Sequence, residues 1–515
     1  MNERPVLIAG AGPTGLVLAL WLTRLGVRVR IIDKVAEPGT TSRALAVQAR
    51  TLEFYRQIGL ADTLVDGGVR LDAVNFWIKG RRVARAVFGA MGAGLSAFPY
   101  ALIFPQDEHE RVLIARLAEN GVKVERRVEL TGFEDAGSHV VARLRQADGR
   151  EERCETPYLA GCDGARSTVR EGLGIGFHGG TYEHQFYVAD VDAHGPAVDG
   201  QLHASLDEAE FVVIFPLKGQ GRARFVGVVR DEAASTREDL AWDDVSKDLL
   251  RQMNVQVERV NWFSSYRVHH RVADRFRTGR AFLLGDAAHI HSPVGGQGMN
   301  TGIGDAVNLA WKLASVLHGQ ADASLLDTYE PERIAFARRL VATTDRAFTV
   351  ITSRGRIARW VRVGVVPRAL PILFRLKPVR RLMFRTISQT TISYRGSALS
   401  AGTAGRVRGG DRLPWVRLDG AGDNFAPLAS LDWQVHVYGE PAPALETACR
   451  QRGLALHMFG WRTAMGHAGL ARNAAYLVRP DGHVALADLE ASATTLKTYL
   501  DARGLRLGRA PDPVR

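Results

Sequence analysis

Six residues, Gly10-Ala11-Gly12-Pro13-Thr14-Gly15, constrain this chain more than any other feature. They follow Val6-Leu7-Ile8-Ala9, a short apolar run of the kind buried in a parallel sheet. They precede Leu16 to Leu25, which reads as a helix stopped by Gly26, and then a second strand, Val27 to Ile32. The order makes a βαβ unit. In such a unit the first glycine makes the tight turn, the second lets backbone approach a pyrophosphate, and the third lets the helix pack on the strand. The helix N-terminus then faces the phosphates. Asp33 closes the second strand 21 residues after Gly12, where an acid accepts from a ribose hydroxyl. A lone G-x-G-x-x-G is weak evidence; with strand, helix and acid in register it marks a dinucleotide site. The spacing recurs at Gly174-Ile175-Gly176-Phe177-His178-Gly179 with no strand before it and no clear helix after it. That copy is read as chance, so one built-in dinucleotide domain is expected.

The remaining chain is too long for that unit alone. Its 515 residues give a prior of about three domains. Arg50 to Gly59 and Gln106 to Asn120 read as helices, and Val122 to Val128 as a strand. From about Phe177 the texture changes to strand-like runs (Phe186 to Val191, Phe211 to Leu217, Arg224 to Arg230, Trp262 to His270) separated by Gly, Asp and Pro. This predicts an inserted antiparallel sheet. Ala281 to Leu284 returns to a buried strand and leads through a glycine loop to a helix over Gly302 to Leu317. A third unit follows Gly409-Gly410. It has strands at Trp433 to Tyr438 and Leu454 to Phe459, a hairpin turning on Pro480-Asp481-Gly482, and a closing helix from Ser492 to Arg503.

Composition removes several functions. The net charge is +12, yet residues 346 to 410 hold 14 basic residues and no acid, leaving 53 basic against 55 acidic residues elsewhere. The basic character is one local segment, not a nucleic-acid-binding face. Within it Ile357, Trp360, Val361 and Val365 share a helical face beside arginines, which suits either anionic lipid or a packed linker. Pro367, Pro371 and Pro378 favour the linker. Cys154, Cys162 and Cys449 are widely spaced, which excludes a cysteine-based zinc site and points to a reducing, cytoplasmic setting. His289 and His291 lack carboxylate–histidine helix spacing and read as packing residues. Pro5 to Leu22 imitates a secretory h-region, but the βαβ reading explains it better, and no other run predicts a membrane span. The high Arg and Ala content points to a bacterial, GC-rich source.

Two further segments decide which dinucleotide is bound. Cys162-Asp163-Gly164-Ala165-Arg166-Ser167 follows a short apolar stretch. Gly285-Asp286-Ala287-Ala288-His289 follows a strand and runs into Pro293-Val294-Gly295-Gly296-Gln297-Gly298-Met299-Asn300. A strand-end Asp holds a sugar-like hydroxyl, and a glycine loop opening a helix offers N–H groups to an electron-rich ring. With Thr41-Ser42-Arg43-Ala44-Leu45 and Gln106-Asp107-Glu108-His109-Glu110-Arg111, the set resembles the group A flavoprotein aromatic hydroxylases of the para-hydroxybenzoate hydroxylase fold. Val407 to Ala487 resembles the thioredoxin-like C-terminal domain of the subgroup that includes phenol hydroxylase and polyketide-tailoring hydroxylases.

The resemblance implies an α/β architecture: a Rossmann-type FAD-binding domain, an inserted antiparallel-sheet substrate domain and a C-terminal thioredoxin-like domain. The expected division is 1–175 and 276–345 for the FAD-binding domain, with residues about 76–100 joining a substrate domain at 176–275. A basic helical linker (346–400) and the thioredoxin-like domain (401–515) complete it. It implies that Gly10, Gly12, Thr14 and Gly15 cradle the FAD pyrophosphate. Asp33, where many relatives have Glu, binds the adenosine ribose, and Lys34 and Val128 flank the adenine. Arg43 sits near the pyrophosphate and the flavin, and Gln106 and Asp286 hold the ribityl chain. Pro293, Gly298, Met299 and Asn300 surround the isoalloxazine ring. Asp163 with Arg170 braces the site and helps with the reduced nicotinamide nucleotide.

The implied reaction consumes NADPH or NADH, both transient, and O2. A flavin C4a-hydroperoxide transfers oxygen to a phenolic or polycyclic aromatic substrate. No catalytic side chain is identified; His203, Tyr187 and Arg224 on the inserted sheet read as ordinary core or surface residues. Cys449 stands alone, so the C-terminal unit is not a redox partner. Baeyer–Villiger oxygenation and a membrane-surface quinone-precursor hydroxylase remain alternatives. Halogenation is disfavoured because no Trp-x-Trp-x-Ile-Pro segment occurs. No nucleic-acid partner is expected, and the chain is expected as a monomer or homodimer.

Overall fold

The computed structural model describes residues 4–39, 44–205, 212–229, 240–292, 295–352, 364–420 and 422–507. Its first layer is a six-stranded sheet ordered Arg277–Thr278, Ala281–Leu283, Leu159–Gly161, Val6–Ala9, Val29–Asp33 and Glu125–Arg126. The last five strands run parallel. Val6 to Ala9 are buried on both faces, as a strand sandwiched between helices must be. The helix Pro13–Arg24 packs beside the long helix Gly298–Leu317, and the core between them is Leu16 to Leu22 against Ile303 to Leu313. A three-stranded antiparallel sheet, Glu129–Asp135, Val140–Arg145 and Glu151–Thr156, flanks this layer.

The second layer is an eight-stranded sheet. Its order is His289–Ile290, Gln256–Ala273, Phe177–His194, Arg222–Val229, Val212–Pro216, Leu202–Ser205, Ala73–Ile78 and Arg81–Val87. All its pairings are antiparallel except Leu202–Ser205 with Ala73–Ile78. Gly174 ends the short helix Thr168–Gly172 and is followed by an eighteen-residue strand, a context no dinucleotide loop has.

The C-terminal sheet is ordered Val407–Arg408, Ala401–Ala404, Val484–Asp488, Ala475–Val478, Gln434–Tyr438 and Ala455–Phe459. Gln434–Tyr438 and Ala455–Phe459 are parallel and are joined through the helix Pro443–Gln451, while Ala475–Val478 and Val484–Asp488 form the hairpin. Between the long helix and this unit lie the helices Val366–Leu373 and Lys377–Ile387. Phe374 packs on Phe88, and Phe384 lies directly under Gly92. Ile357, Trp360 and Val361 lie outside the described residues.

Two buried histidines make the fold acid-sensitive. His109 has Tyr55 Oη 2.6 Å from its Nε2, and His436 has the Gln434 side-chain oxygen 2.8 Å from its Nε2. Burial pushes each pKa down to about 3, aided at His436 by His457. Both stay neutral when folded, whereas the unfolded chain takes up protons below its ordinary value of about 6.5. Their stabilising contribution is therefore complete above that value and is lost as pH falls towards 3. Between pH 6.5 and 4.5 each histidine should remove about 2–3 kcal/mol. Urea unfolding across this range should show the loss, and His436→Gln should reduce the slope by about one proton. An unchanged slope would contradict the assignment.

Candidate active site

The site is assembled where three turns meet the ends of the parallel strands. At the first, Gly10 adopts φ +103°, and a Cβ there would overlap the Cys162 carbonyl. A Cβ on Gly15 would overlap the Gly10 carbonyl oxygen, so helix and turn touch backbone to backbone. A Cβ on Gly12 would meet nothing within 4 Å. Two of the glycines are thus required by protein, and the middle one faces open space at a helix N-terminus.

Asp33 terminates the adjacent strand and accepts from the Ala11 N–H at 2.7 Å and the Val35 N–H at 2.9 Å. It lines one cleft with Gly10, Lys34, Val128, Asp163 and Gly164. Lys34 is exposed at its rim, and the Val128 N–H donates to the Asp33 carbonyl at 3.0 Å.

At the second turn Asp163 accepts from Ser167 Oγ at 2.6 Å and from the Val169 N–H at 3.2 Å. Burial raises its pKa, against the pull of these bonds. Arg170 donates to the Ala165 carbonyl at 2.8 Å and to the Ala287 carbonyl at 3.1 Å, and so ties the second turn to the third.

The third turn begins at Gly285, which with Gly302 closes around Thr14: a Cβ on either glycine would press on the threonine hydroxyl. Asp286 is exposed between buried neighbours. The helix begins at Gly298, four residues before its expected start, because Gln297 already accepts the Thr301 N–H at 2.9 Å. The N–H groups of Gly298, Met299 and Asn300 fall in the first turn, where an α-helix offers no carbonyl partner. Asn300 itself is turned into protein. Its amide donates to the Ala46 and Gly296 carbonyls, both at 2.8 Å, and its oxygen accepts from Gln48 N–H and Thr51 Oγ1. Met299 Sδ lies 3.3 Å from His109 Nδ1. Gln106 also binds protein: its oxygen accepts from the Ala44 N–H and its amide donates to Glu110. Arg43 and Pro293 lie outside the described residues.

Sequence reasoning missed the support beneath the third turn. Buried Asp305 accepts from the Gly285 N–H at 3.0 Å, His289 Nε2 at 2.7 Å and Arg333 Nε at 2.6 Å. Burial opposes its charge, but Arg333 and His289 overcome that and hold its pKa low. The signal in sequence is only an Asp on the long helix four residues after Thr301. Of the residues on the inserted sheet, His203 is held between Trp77 Nε1 at 2.9 Å and Asp199 at 2.7 Å. Arg224 binds Asp190 and the Ala44 carbonyl, and Tyr187 stacks on Phe263.

The residues present fit FAD. Asp33 at the second strand end and the exposed Asp286 lie on either side of the open space in front of Gly12 in the strand order, and a run of helix-start N–H groups follows Asp286 in the chain. The sequence matches the FAD binding domain family over residues 3–344. It is 37% identical to 6-methylpretetramide 4-monooxygenase of Streptomyces rimosus over 96% of this chain and 93% of that protein. The fold is similar to that of an anhydrotetracycline hydroxylase from Streptomyces rimosus, with a TM-score of 0.76 and 28% identity over 99% of each chain. It is also similar to aklavinone-11 hydroxylase solved with FAD and aklavinone, with a TM-score of 0.76 and 26% identity over 98% of this chain and 100% of that one. Turns, sheet order and end-to-end similarity converge on one answer: the chain belongs to the FAD-dependent aromatic monooxygenases.

Proposed function

We propose that this enzyme hydroxylates a phenolic or polycyclic aromatic substrate, drawing electrons from NADPH or NADH and oxygen from O2. The observation that carries the reading is the end-to-end match to 6-methylpretetramide 4-monooxygenase. In this assignment Gly10, Gly12, Thr14 and Gly15 hold the pyrophosphate. Asp33 keeps acceptor capacity for the adenosine ribose beside its two backbone bonds, and Lys34 and Val128 flank the adenine. Asp286 holds the ribityl chain, and Gly298 and Met299 border the ring. Gln106 and Asn300 are support residues, because their side chains are committed to protein. Arg43 and Pro293 retain the roles that resemblance gives them. The unit from residue 401 onward is assigned as thioredoxin-like on its parallel pair, hairpin and flanking helices.

Bound FAD supplies the electron transfer and oxygen activation. The chain's own work is to hold it, orient it and keep water from it. The N–H groups at the start of the long helix place a positive dipole end where the ring gains charge. Arg170 ties the second turn to the third and Asp163 braces the second, so the two would hold the cofactor's seat in shape.

Aerobic NADPH oxidation by the FAD-loaded chain, with phenols, naphthols and anthraquinones, tests the proposal. Strong stimulation by one class, with a hydroxylated product, is expected. An ester or lactone product would move the assignment to Baeyer–Villiger oxygenation. No stimulation by any of these classes would count against the aromatic reading. Asp286→Ala should weaken FAD binding ~10-fold or more, the loss of one or two charge-assisted hydrogen bonds. Flavin fluorescence titration reads this, and unchanged affinity would remove Asp286 from the site.

A further inference from the structure

The C-terminal hairpin reaches the FAD-binding layer by two routes. The first runs through Arg50. Its guanidinium is buried, donates to the Asp481 carbonyl at 2.5 Å and lies 3.4 Å from His483 Nδ1. Arg50 sits in the first turn of the helix Ala49–Gln57. The same turn grips the glycine loop: Gln48 Nε2 donates to the Gly295 carbonyl at 3.0 Å, and Gln48 N–H and Thr51 Oγ1 donate to Asn300. Glu53, one turn on, accepts from Arg50 at 3.0 Å, from Ser96 at 2.6 Å and from Arg412, whose backbone pairs with His483.

The second route starts at His483, whose ring packs at a tilt against Tyr394 with centroids 4.4 Å apart. Tyr394 Oη accepts from Arg333 at 2.8 Å, and Arg333 binds Asp305, which holds the Gly285 N–H. Arg333 also donates to the Thr301 carbonyl at 3.0 Å. Every side chain on both routes is buried except that of Arg412, a residue that is partly exposed.

We propose that the Asp481 hairpin positions both flavin loops, the glycine loop through Arg50 and the Gly285–Asp286 turn through Tyr394. Arg50 and Tyr394 are then positioning residues, remote from the ring yet setting where its backbone partners lie. The inference rests on the FAD reading above. A satisfied buried polar network rigidifies the groups it joins and specifies one arrangement of them, and so sets position as well as adding stability.

The test uses the full-length chain. Arg50→Gln cuts the first route and Tyr394→Phe the second. Leu496→Ala, on the closing helix and outside both routes, controls for lost stability. Hydrogen exchange of peptides covering residues 46–52, 298–304 and 284–288 is read with and without FAD, together with the FAD Kd. Arg50→Gln should speed exchange of the first two peptides and weaken FAD binding ~10-fold. Arg50→Lys, which retains the cation, should recover part of both effects. Tyr394→Phe should speed exchange of the 284–288 peptide and spare residues 46–52. Leu496→Ala, at the same loss of Tm, should change none of these. Wild-type exchange in Arg50→Gln, or equal effects from Leu496→Ala, would overturn the inference. Should Arg50→Gln fail to fold, Arg50→Lys and Tyr394→Phe decide it by the same criteria. The exchange measured without FAD stands even if the wild-type chain proves not to bind FAD, an outcome that would sink the functional reading alone.

Discussion

Replacing Gly12 by alanine should give a chain that folds with wild-type stability and binds FAD ~100-fold more weakly, a difference of about 3 kcal/mol. The protein leaves open space in front of Gly12, so a methyl group there meets no protein atom. It meets whatever the loop holds, and a pyrophosphate that must approach backbone closely is displaced. Gly15→Ala should behave differently. Its methyl group overlaps the Gly10 carbonyl oxygen, and backbone on both sides must move. Stability and FAD affinity should fall together. Thermal unfolding of the two FAD-free chains, beside flavin titration, separates the cases. A loss of Tm in Gly12→Ala equal to that in Gly15→Ala would show that the space belongs to the protein.

Glu332→Ala should lose about 3–5 kcal/mol of stability, because it strands the buried Lys312 cation and leaves buried Arg479 with Asp481 as its one carboxylate partner. The carboxylate accepts from both terminal nitrogens of Arg479, at 2.8 and 3.0 Å, from Lys312 at 2.9 Å, from Asn308 at 2.6 Å and from Ser397 at 2.7 Å. Burial opposes its charge, and Arg479 and Lys312 overcome this and hold its pKa low. Lys312 is itself pushed by burial down to about 8 despite Glu332. Removing the cation together with the anion relieves the penalty. Glu332→Met with Lys312→Met should therefore cost less than Glu332→Ala alone. Urea unfolding checks both, and a double variant weaker than the single one would contradict the pairing.

The parts of the site that were legible in the sequence are those whose chemistry is local. In the proposed site Gly10, Gly12 and Gly15 would act through spacing within one turn, and Asp33 and Asp286 through position at or just after a strand end. A reader needs only a few residues to see either. The support was not legible, because its members are far apart in the chain. Arg50 and Asp481 are 431 residues apart, and each alone looks like a surface charge on a helix or in a turn. Gln106 and Asn300 are given to the cofactor by the family resemblance alone. The fold instead uses them to satisfy backbone groups that the glycine loop and the Ala44 segment leave unpaired. The two long strands of the inserted sheet extend well beyond their apolar centres, to Phe177–His194 and Gln256–Ala273. Their polar ends pair with each other and carry no hydrophobic alternation to announce it.

The interleaved strand order of the parallel sheet also sets a timetable for the chain's birth. Val6–Ala9 lies beside Leu159–Gly161, which lies beside Ala281–Leu283. A ribosome moving at 5–20 residues per second reaches that last strand on the order of 15–60 s after the first has emerged. Until then an apolar strand waits with an unfilled edge, the state most open to wrong pairing and most in need of a chaperone. Thr14 waits longer still for Gly302, so flavin can be captured only late in synthesis.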